Sequence, residues 1–419
     1  MMKVAIVNQP MDMLIPPHQN SIGLWSYNAA PFLAQTWDVH VFGKRNAAQR
    51  AWDGQPGVTY SFMPPVVPNR ALIDRLEGPY NRMKKERLPI YASRLYYLDY
   101  IAQVAWQARR KRVDMVHIHN FTQFVPVVRA ICPQAKIALH MNCEWLNQLD
   151  REVMGQRMAQ ADLVFGSSDY ITQLAQQTFP EMAARCHTVY NGVDPDLFYR
   201  EDGVGDAPGR EQRLLFVGRV SPEKGVHDLV AAFPLVASQF PDAHLDIVGP
   251  ISVLPLEFIV GVSDDPYVAG LSSLYDEEYG AYLRRLVPPE LVDRVHFHGG
   301  LPQKDVVQHY QRASILVNPS YSESFGMSLV EALASNVPVI ATRVGGMVNI
   351  LEDGVTGYFV DRADVAGLAD TISGLLRDEA LRQRMGDTGR EQILRRFSWA
   401  GVAQKVLDCY ATVLPDAQA

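Results

Sequence analysis

The chain has 419 residues, 47% hydrophobic and 20% charged, a composition of a soluble globular protein and too long for one ordinary core. Its net charge of −7 leaves no whole-molecule basic footprint, which argues against a nucleic-acid partner. Cys132, Cys143, Cys186 and Cys409 are scattered without a CxxC pair, against a disulfide framework or a structural zinc site and in keeping with a reducing cytoplasm.

The N-terminal "MMKVAIVNQP" is too short an apolar run for a signal peptide or an anchor, and no run reaches the length of a membrane span, so a cytoplasmic protein is expected, monomeric or homodimeric. The basic clusters "RMKKER" (82–87) and "ARRKR" (108–112) read as solvated helix faces, with an anionic ligand or peripheral membrane contact as the alternative. Short apolar runs at 3–7, 38–42, 114–120, 136–142 and 162–168 read as strands, with helical patterns between most of them, notably around 94–110 and 151–160. Strands alternating with helices form βαβ units and a parallel sheet.

A Gly-rich, charged stretch then suggests a linker at 196–212, after which the alternation restarts. Strands are expected at 214–220, 244–249, 294–299, 314–320, 337–342 and 356–361, and helices around 226–238, 326–335, 364–377 and 379–393. The stretch 250–274 is long for a βα loop and reads as an insertion. The expected organisation is therefore two α/β domains, 1–195 and 213–395, facing a cleft, followed by a helical segment at 396–419.

Chemistry concentrates in the second half. "FVGRVSPEKG" (216–225) is a strand, a turn opened by Gly218 and a helix start, with Arg219 and Lys224 flanking the turn. Two cations at the carboxyl end of a parallel strand suit a diphosphate, although a solvated loop carrying surface charges fits the same residues. "ESFGMSLVE" (323–331) follows a strand and opens a helix, so Glu323 lies before the helix and Glu331 about one and a half turns inside it. Backbone amides of Ser324, Phe325, Gly326 and Met327 would face anionic or hydroxyl oxygens, and Glu331 could accept hydrogen bonds from vicinal hydroxyls such as those of a ribose.

The E-x7-E pattern, preceded by "NPSYS" and followed by "ALASNVPVIATRVGGMVNIL" and "DGVTGYFV", resembles the retaining glycosyltransferases of family 4, as do "GRVSPEKG" and "YNGVD". The resemblance spans nearly all of 186–400 and is looser before it. It implies a GT-B fold of two Rossmann-like domains, the last helix, from Trp399, crossing back to the first. It implies that Arg219 and Lys224 clamp the diphosphate of a nucleotide sugar beside Gly218, and that Glu331 holds the ribose. Glu323 and the backbone from Ser324 to Met327 would grip the transferred sugar and phosphates, and Leu301 would meet the nucleobase. His140, ending "KIALH", falls where the family places a histidine beside the reacting sugar.

Where relatives carry a Gly-Gly loop after the first strand, the segment 16–34 has Asn20 and Ser21, with Gly23 two residues on; it is expected to be a loop lying over the donor. His117 and His119 share one strand face and could form a metal trio with His140, but no carboxylate ligand accompanies them. His117 reads as packed, His119 as near the acceptor, and His296 and His298 as structural. Asp194 and Asp196 form a DxD triplet, read as a turn and not as a metal site; no cofactor and no metal is expected.

The function expected is retaining transfer of a hexose from a nucleotide sugar, by default UDP-glucose, to a small polar acceptor. Lys44 and Arg45, after a strand end, could meet a phosphate, so a sugar phosphate such as fructose 6-phosphate is one candidate, as in sucrose-phosphate synthases. A lipid-linked or polysaccharide acceptor, a nucleotide-sugar epimerase and a silent sugar-nucleotide binder remain alternatives.

Overall fold

The computed structural model describes residues 1–17, 19–45, 52–64, 73, 75–76, 88–199 and 212–414. The basic cluster at 82–87 and residues 200–211 of the linker expected at 196–212 lie outside them. The chain forms two compact units, the first of residues 1–192 and 399–419, the second of 193–398.

The first unit holds a seven-stranded sheet built from β1 (Lys3–Val7), β2 (Asp38–Lys44), β3 (Val58–Met63), β4 (Met115–His119), β5 (Lys136–Met141), β6 (Leu163–Gly166) and β7 (Cys186–Thr188). Every pairing is parallel, in the order β3-β2-β1-β4-β5-β6-β7. β3 and β7 had no counterpart in the sequence reading. β4 is buried at every position, as a parallel strand covered on both faces must be. One face carries Val4, Ile6, Val39 and Val41 against Trp25 and Leu33, and against Val402, Val406 and Tyr410 of the C-terminal helix Trp399–Val413. That helix therefore belongs to the core of the first unit.

The segment 16–34, expected to be a loop, is a helix from Ser21 to Leu33. Asn20 caps it by accepting the Gly23 amide on its side-chain oxygen at 2.9 Å. Its apolar residues face inward on most sides, and Pro31 stands inside it, so neither a clean amphipathic period nor an uninterrupted helix former announced it. A Cβ on Gly23 would meet the Met13 carbonyl oxygen at 2.0 Å, which is why this first turn needs a glycine.

The second unit holds β8 (Gln212–Val217), β9 (Ala243–Val248), β10 (Val295–Gly299), β11 (Ile315–Asn318), β12 (Val339–Thr342) and β13 (Gly357–Val360), all parallel, in the order β10-β9-β8-β11-β12-β13. Leu214, Phe216, Leu245, Ile247, Ile315 and Ile340 pack against Leu229 and Phe233 of the helix Val226–Ala237 and Ile372 of the helix Val365–Arg377. The strand order reverses between β8 and β11, so the loops leaving these two neighbours diverge to opposite faces and leave a crevice at their carboxyl ends. In the first unit the reversal lies between β1 and β4.

Candidate active site

The loop after β8 runs through Gly218, Arg219 and Ser221 into a short 3-10 turn, Pro222–Lys224, and then through Gly225 into the helix Val226–Ala237. Gly225 has φ +66, and a Cβ there would meet the Pro319 carbonyl oxygen of the neighbouring loop at 2.0 Å. Glu223 is 1% exposed; its backbone oxygen accepts the Tyr321 amide at 2.8 Å, stitching the two loops together. The loop after β11 is shaped by Asn318, whose side chain accepts from the Ser320 hydroxyl at 2.6 Å and donates to the Ser328 hydroxyl at 3.2 Å.

These loops bring four charges together in two pairs. Arg219 Nη2 donates to Glu223 Oε1 at 2.5 Å and its Nε to the Ser221 hydroxyl at 3.2 Å. Lys224 Nζ donates to Glu323 Oε2 at 2.8 Å and to the Ser322 carbonyl at 3.4 Å. Burial alone would raise the Glu223 pKa, but the charges of Arg219 and Lys224 override it and hold the carboxyl below its usual range. Arg219 keeps its Nη1 nitrogen uncommitted among the described residues, and Lys224 has a third N–H beyond the two it uses. The carboxylates thus orient the cations without exhausting their donors.

The helix Met327–Ala334 begins at Gly326, whose φ of +109 only glycine adopts readily, and no side chain caps it. Its first amides are left to whatever lies before the helix. Phe325 is buried with its ring 5.7 Å from that of Phe397. On the same helix Glu331 is 7% exposed and accepts the Tyr310 hydroxyl on Oε2 at 2.7 Å. Tyr310 comes from the helix Gln303–Arg312, which starts just after Leu301. Burial pushes the Glu331 pKa up to about 7, with the Tyr310 hydrogen bond opposing the rise. Behind Glu323, Gly345 (φ +52) presses so close that a Cβ would lie 1.7 Å from the Glu323 carbonyl oxygen.

The crevice loops of the second unit therefore gather Gly218, Arg219, Lys224, Glu323, Ser324, Phe325, Gly326 and Met327, with Glu331 farther along the same helix. Leu301, half-buried, lies beyond β10 at the carboxyl end of the same sheet. Glu223, Tyr310 and Gly345 carry the geometry without having been singled out in the sequence. Glu223 four residues after Arg219 and the "VGG" doublet were readable signals; a tyrosine on a helix offers none. The insertion 250–274 folds onto Tyr321 through Val260, Val268 and Leu271, and Asp265 pairs with Arg362 at 2.7 Å.

In the first unit His117, His119 and His140 do converge, with one nitrogen each within 4.8 Å of the others. Their nitrogens are largely spent on protein partners. His117 bonds the Tyr410 hydroxyl through Nδ1 at 2.6 Å and His140 Nδ1 through Nε2 at 3.1 Å. His119 faces Ser26 Oγ at 3.4 Å and Asn142 Nδ2 at 3.3 Å. His119, expected near the acceptor, has its ring fully buried between Ser26 and Asn142. Burial lowers all three pKa values, that of His140 to about 3, so the cluster is neutral and can pack tightly around Trp25. Gly23 is likewise corrected as a donor contact through its amide, which Asn20 occupies.

Lys44 ends β2, and Arg45 follows with its guanidinium at the Phe62 carbonyl, 3.4 Å away. Asp194 accepts the Asp196 amide at 2.9 Å and the Leu197 amide at 3.2 Å, the hydrogen bonds of a turn. His296 pairs with His244 at 3.0 Å and His298 with Asp246 at 2.7 Å. Asp246, His298 and His309 also offer three ligand atoms within 4.8 Å of one another, but Arg213 occupies the second Asp246 oxygen at 2.8 Å.

Residues 200–392 match the family of Glycosyl transferases group 1, and residues 27–197 match Glycosyltransferase Family 4. The chain is 28% identical to spore coat protein SA of Bacillus subtilis, over 74% of this chain and 81% of that one. It is 28% identical to N-acetyl-alpha-D-glucosaminyl L-malate synthase of Bacillus anthracis, over 77% and 79%. It is 29% identical to D-inositol 3-phosphate glycosyltransferase of Corynebacterium efficiens, over 83% and 81%. Among solved structures, sucrose-phosphate synthase of Thermosynechococcus elongatus superimposes with a TM-score of 0.73 at 20% identity, covering 99% of this chain and all of that one. An Anabaena protein solved with UDP and glucose gives 0.69 at 18% identity, over 98% and 100%.

Proposed function

Since the chain belongs to the glycosyltransferases of family 4 and has their GT-B fold, we propose that it transfers a hexose with retention from a uridine diphosphate sugar, by default UDP-glucose, to a small polar acceptor. One observation carries this reading: the β8 and β11 loops set Arg219 and Lys224 beside Glu323 and an uncapped helix start. A diphosphate meets two held cations there, and amides at the helix start meet phosphate or sugar oxygens.

In this reading no protein nucleophile is needed. The bond from the anomeric carbon to the diphosphate oxygen breaks as the acceptor oxygen bonds the same face. The acceptor's proton passes to the departing phosphate oxygen, and the charge growing on the diphosphate is met by Arg219 and Lys224. Glu223 and Ser221 have already turned the guanidinium to its working orientation, so little is lost in ordering it. The clamp supplies what a divalent cation would otherwise give, and the reaction proceeds without one. Glu331 accepts from the ribose hydroxyls.

The acceptor we favour is a small anionic polyol, with fructose 6-phosphate as first choice. Relatives named for inositol 3-phosphate and L-malate support a small acidic acceptor. The test is release of UDP from UDP-glucose with and without fructose 6-phosphate, inositol 3-phosphate and L-malate. A large increase with one of them supports the reading and identifies the acceptor. Release that rises only with a lipid-linked or glycan acceptor replaces the small acceptor, and donor turnover to an epimer without release replaces transfer itself.

A further inference from the structure

Histidines gather at one edge of the second unit's sheet, where β10 is the outermost strand. They fall into two kinds. His244 on β9 and His296 on β10 lie nearly parallel, 9° apart, and spend a nitrogen on each other at 3.0 Å. His298 is placed differently. β10 slips register against β9 between Phe297 and Gly299, and His298 is the extra residue at the slip. Such a slip re-aims a side chain. His298 Nε2 here donates to Oδ1 of the buried Asp246, on β9, at 2.7 Å.

The third member comes from the helix Gln303–Arg312. The His309 ring centroid lies 4.4 Å from that of His298, with the two planes inclined at 58°. An ion held by an imidazole nitrogen lies in the plane of the ring, so two rings share one only where their planes cross. One ligand atom from each of Asp246, His298 and His309 lies within 4.8 Å of the others. Ligands held at about 2.0–2.2 Å from one zinc sit about 3–4 Å apart, so a small turn of the half-buried His309 completes the set. Arg213 donates to Asp246 Oδ2 at 2.8 Å. That leaves Oδ1 as the single ligand and gives the carboxylate the outer partner that metal-bound carboxylates have.

We propose that Asp246, His298 and His309 form a site for a divalent transition ion, zinc by the match of imidazole and carboxylate ligands, with water completing the shell. The ion takes the place of the proton between His298 and Asp246, and that proton moves to the other ring nitrogen. Its position gives it a task. His298 and His309 flank the segment that carries Leu301, and the residue after His309 is Tyr310, whose hydroxyl donates to Glu331 at 2.7 Å. A bound ion ties the strand end to the helix across that segment. It steadies the nucleoside end of the donor site and takes no part in the transfer itself. This coupling, unlike the metal site, rests on the reading of Leu301 and Glu331 as donor contacts.

The test is calorimetric titration of zinc chloride into the untagged chain after dialysis against a chelator. The native protein should take up one zinc per chain. His298→Ala and His309→Ala should each weaken that step by about a hundredfold or more, Arg213→Gln by about 10- to 100-fold, and His244→Ala not at all. His298 is exposed and His309 half-buried, so the metal-free variants should melt with the native protein, and zinc should raise the melting point of the native protein alone. Zinc held equally by both histidine variants overturns the proposal, as does equal loss in His244→Ala or no uptake by the native protein. UDP titrations with and without zinc read the coupling. Zinc should tighten UDP about fivefold or more in the native protein but not in His298→Ala, with kcat at saturating donor unchanged. A UDP affinity blind to zinc overturns the coupling. If UDP does not bind at all, the transfer reading fails, while the zinc titration still decides the site.

Discussion

Glu331 and Tyr310 face each other from two adjacent helices of the second unit, the tyrosine hydroxyl donating to Glu331 Oε2 at 2.7 Å with both side chains buried. The carboxyl titrates near neutrality because burial raises its pKa to about 7. A ribose-binding carboxylate must be ionised to accept two hydroxyl hydrogens, so UDP affinity should fall as pH drops through about 7. Glu331→Ala should weaken UDP binding about tenfold or more, since hydrogen bonds to a charged group contribute roughly 1.5–3 kcal/mol. Titration calorimetry between pH 5.5 and pH 8.5, values chosen to bracket that pKa by about 1.5 units, checks both. The folding side has the opposite sense. A carboxyl raised in the folded state binds protons more tightly there, so this group adds stability at acid pH that is lost as pH rises through about 7. Unaltered affinity in Glu331→Ala, or affinity flat with pH, would remove the ribose role.

Lys224 makes its ion pair with Glu323 at 2.8 Å with each side chain 18% exposed, partly shielded from water. Such a pair adds little net stability but places a charge accurately. Lys224→Ala should therefore lower kcat by about 10²–10³, the loss typical of removing one transition-state charge contact. A wild-type rate in single-turnover assays would sink the clamp.

Gly345 and Gly354 separate backbone strain from steric contact. Both have positive φ, +52 and +76, but a Cβ at Gly354 meets nothing within 4 Å while one at Gly345 would overlap the Glu323 carbonyl oxygen. Gly354→Ala should cost about 1–2 kcal/mol, the price of a left-handed alanine. Gly345→Ala should cost more and also raise the donor KM, because Glu323 must move. Thermal melts with donor kinetics on both variants test the difference. Equal melting points and equal KM would show that the turn behind Glu323 is pliable.

Chelation offers a simple check on the cation clamp. Overnight dialysis against a strong chelator should leave turnover unchanged if Arg219 and Lys224 carry the charge as proposed. Complete loss, restored by magnesium or manganese, would assign that work to a metal.

Much of the fold was legible because buried parallel strands announce themselves as short apolar runs such as Val4 to Val7 and Ile315 to Val317. The helix Ser21–Leu33 escaped notice because it is apolar on most sides, contains Pro31 and starts at an Asn-Ser pair that reads as loop. β7 spans only Cys186–Thr188, too few residues for a period to show. In the candidate site, Arg219, Lys224, Glu323 and Glu331 stood out by charge and spacing. Glu223 offered its spacing of four from Arg219, but its burial depends on Tyr321 and Ser322 folding across it from a loop about a hundred positions away. The surroundings of His119 were illegible for a related reason. Alternation places it on a face, but only the helix Ser21–Leu33 and the Asn142 side chain decide that the face is closed.

The second unit is an insertion within the first, because the chain leaves after Gly192 and returns at Trp399. Its two ends are tied side by side, the Val193 amide donating to the Phe397 carbonyl at 2.8 Å. Gene fragments should respect that topology. A stretch from 193 to 398 is one continuous cassette with neighbouring ends, suited to excision or to transplantation into another host loop. A cut at 398 meant to trim a tail would instead strip Val402, Val406 and Tyr410 from a core that began with the first strand of the protein.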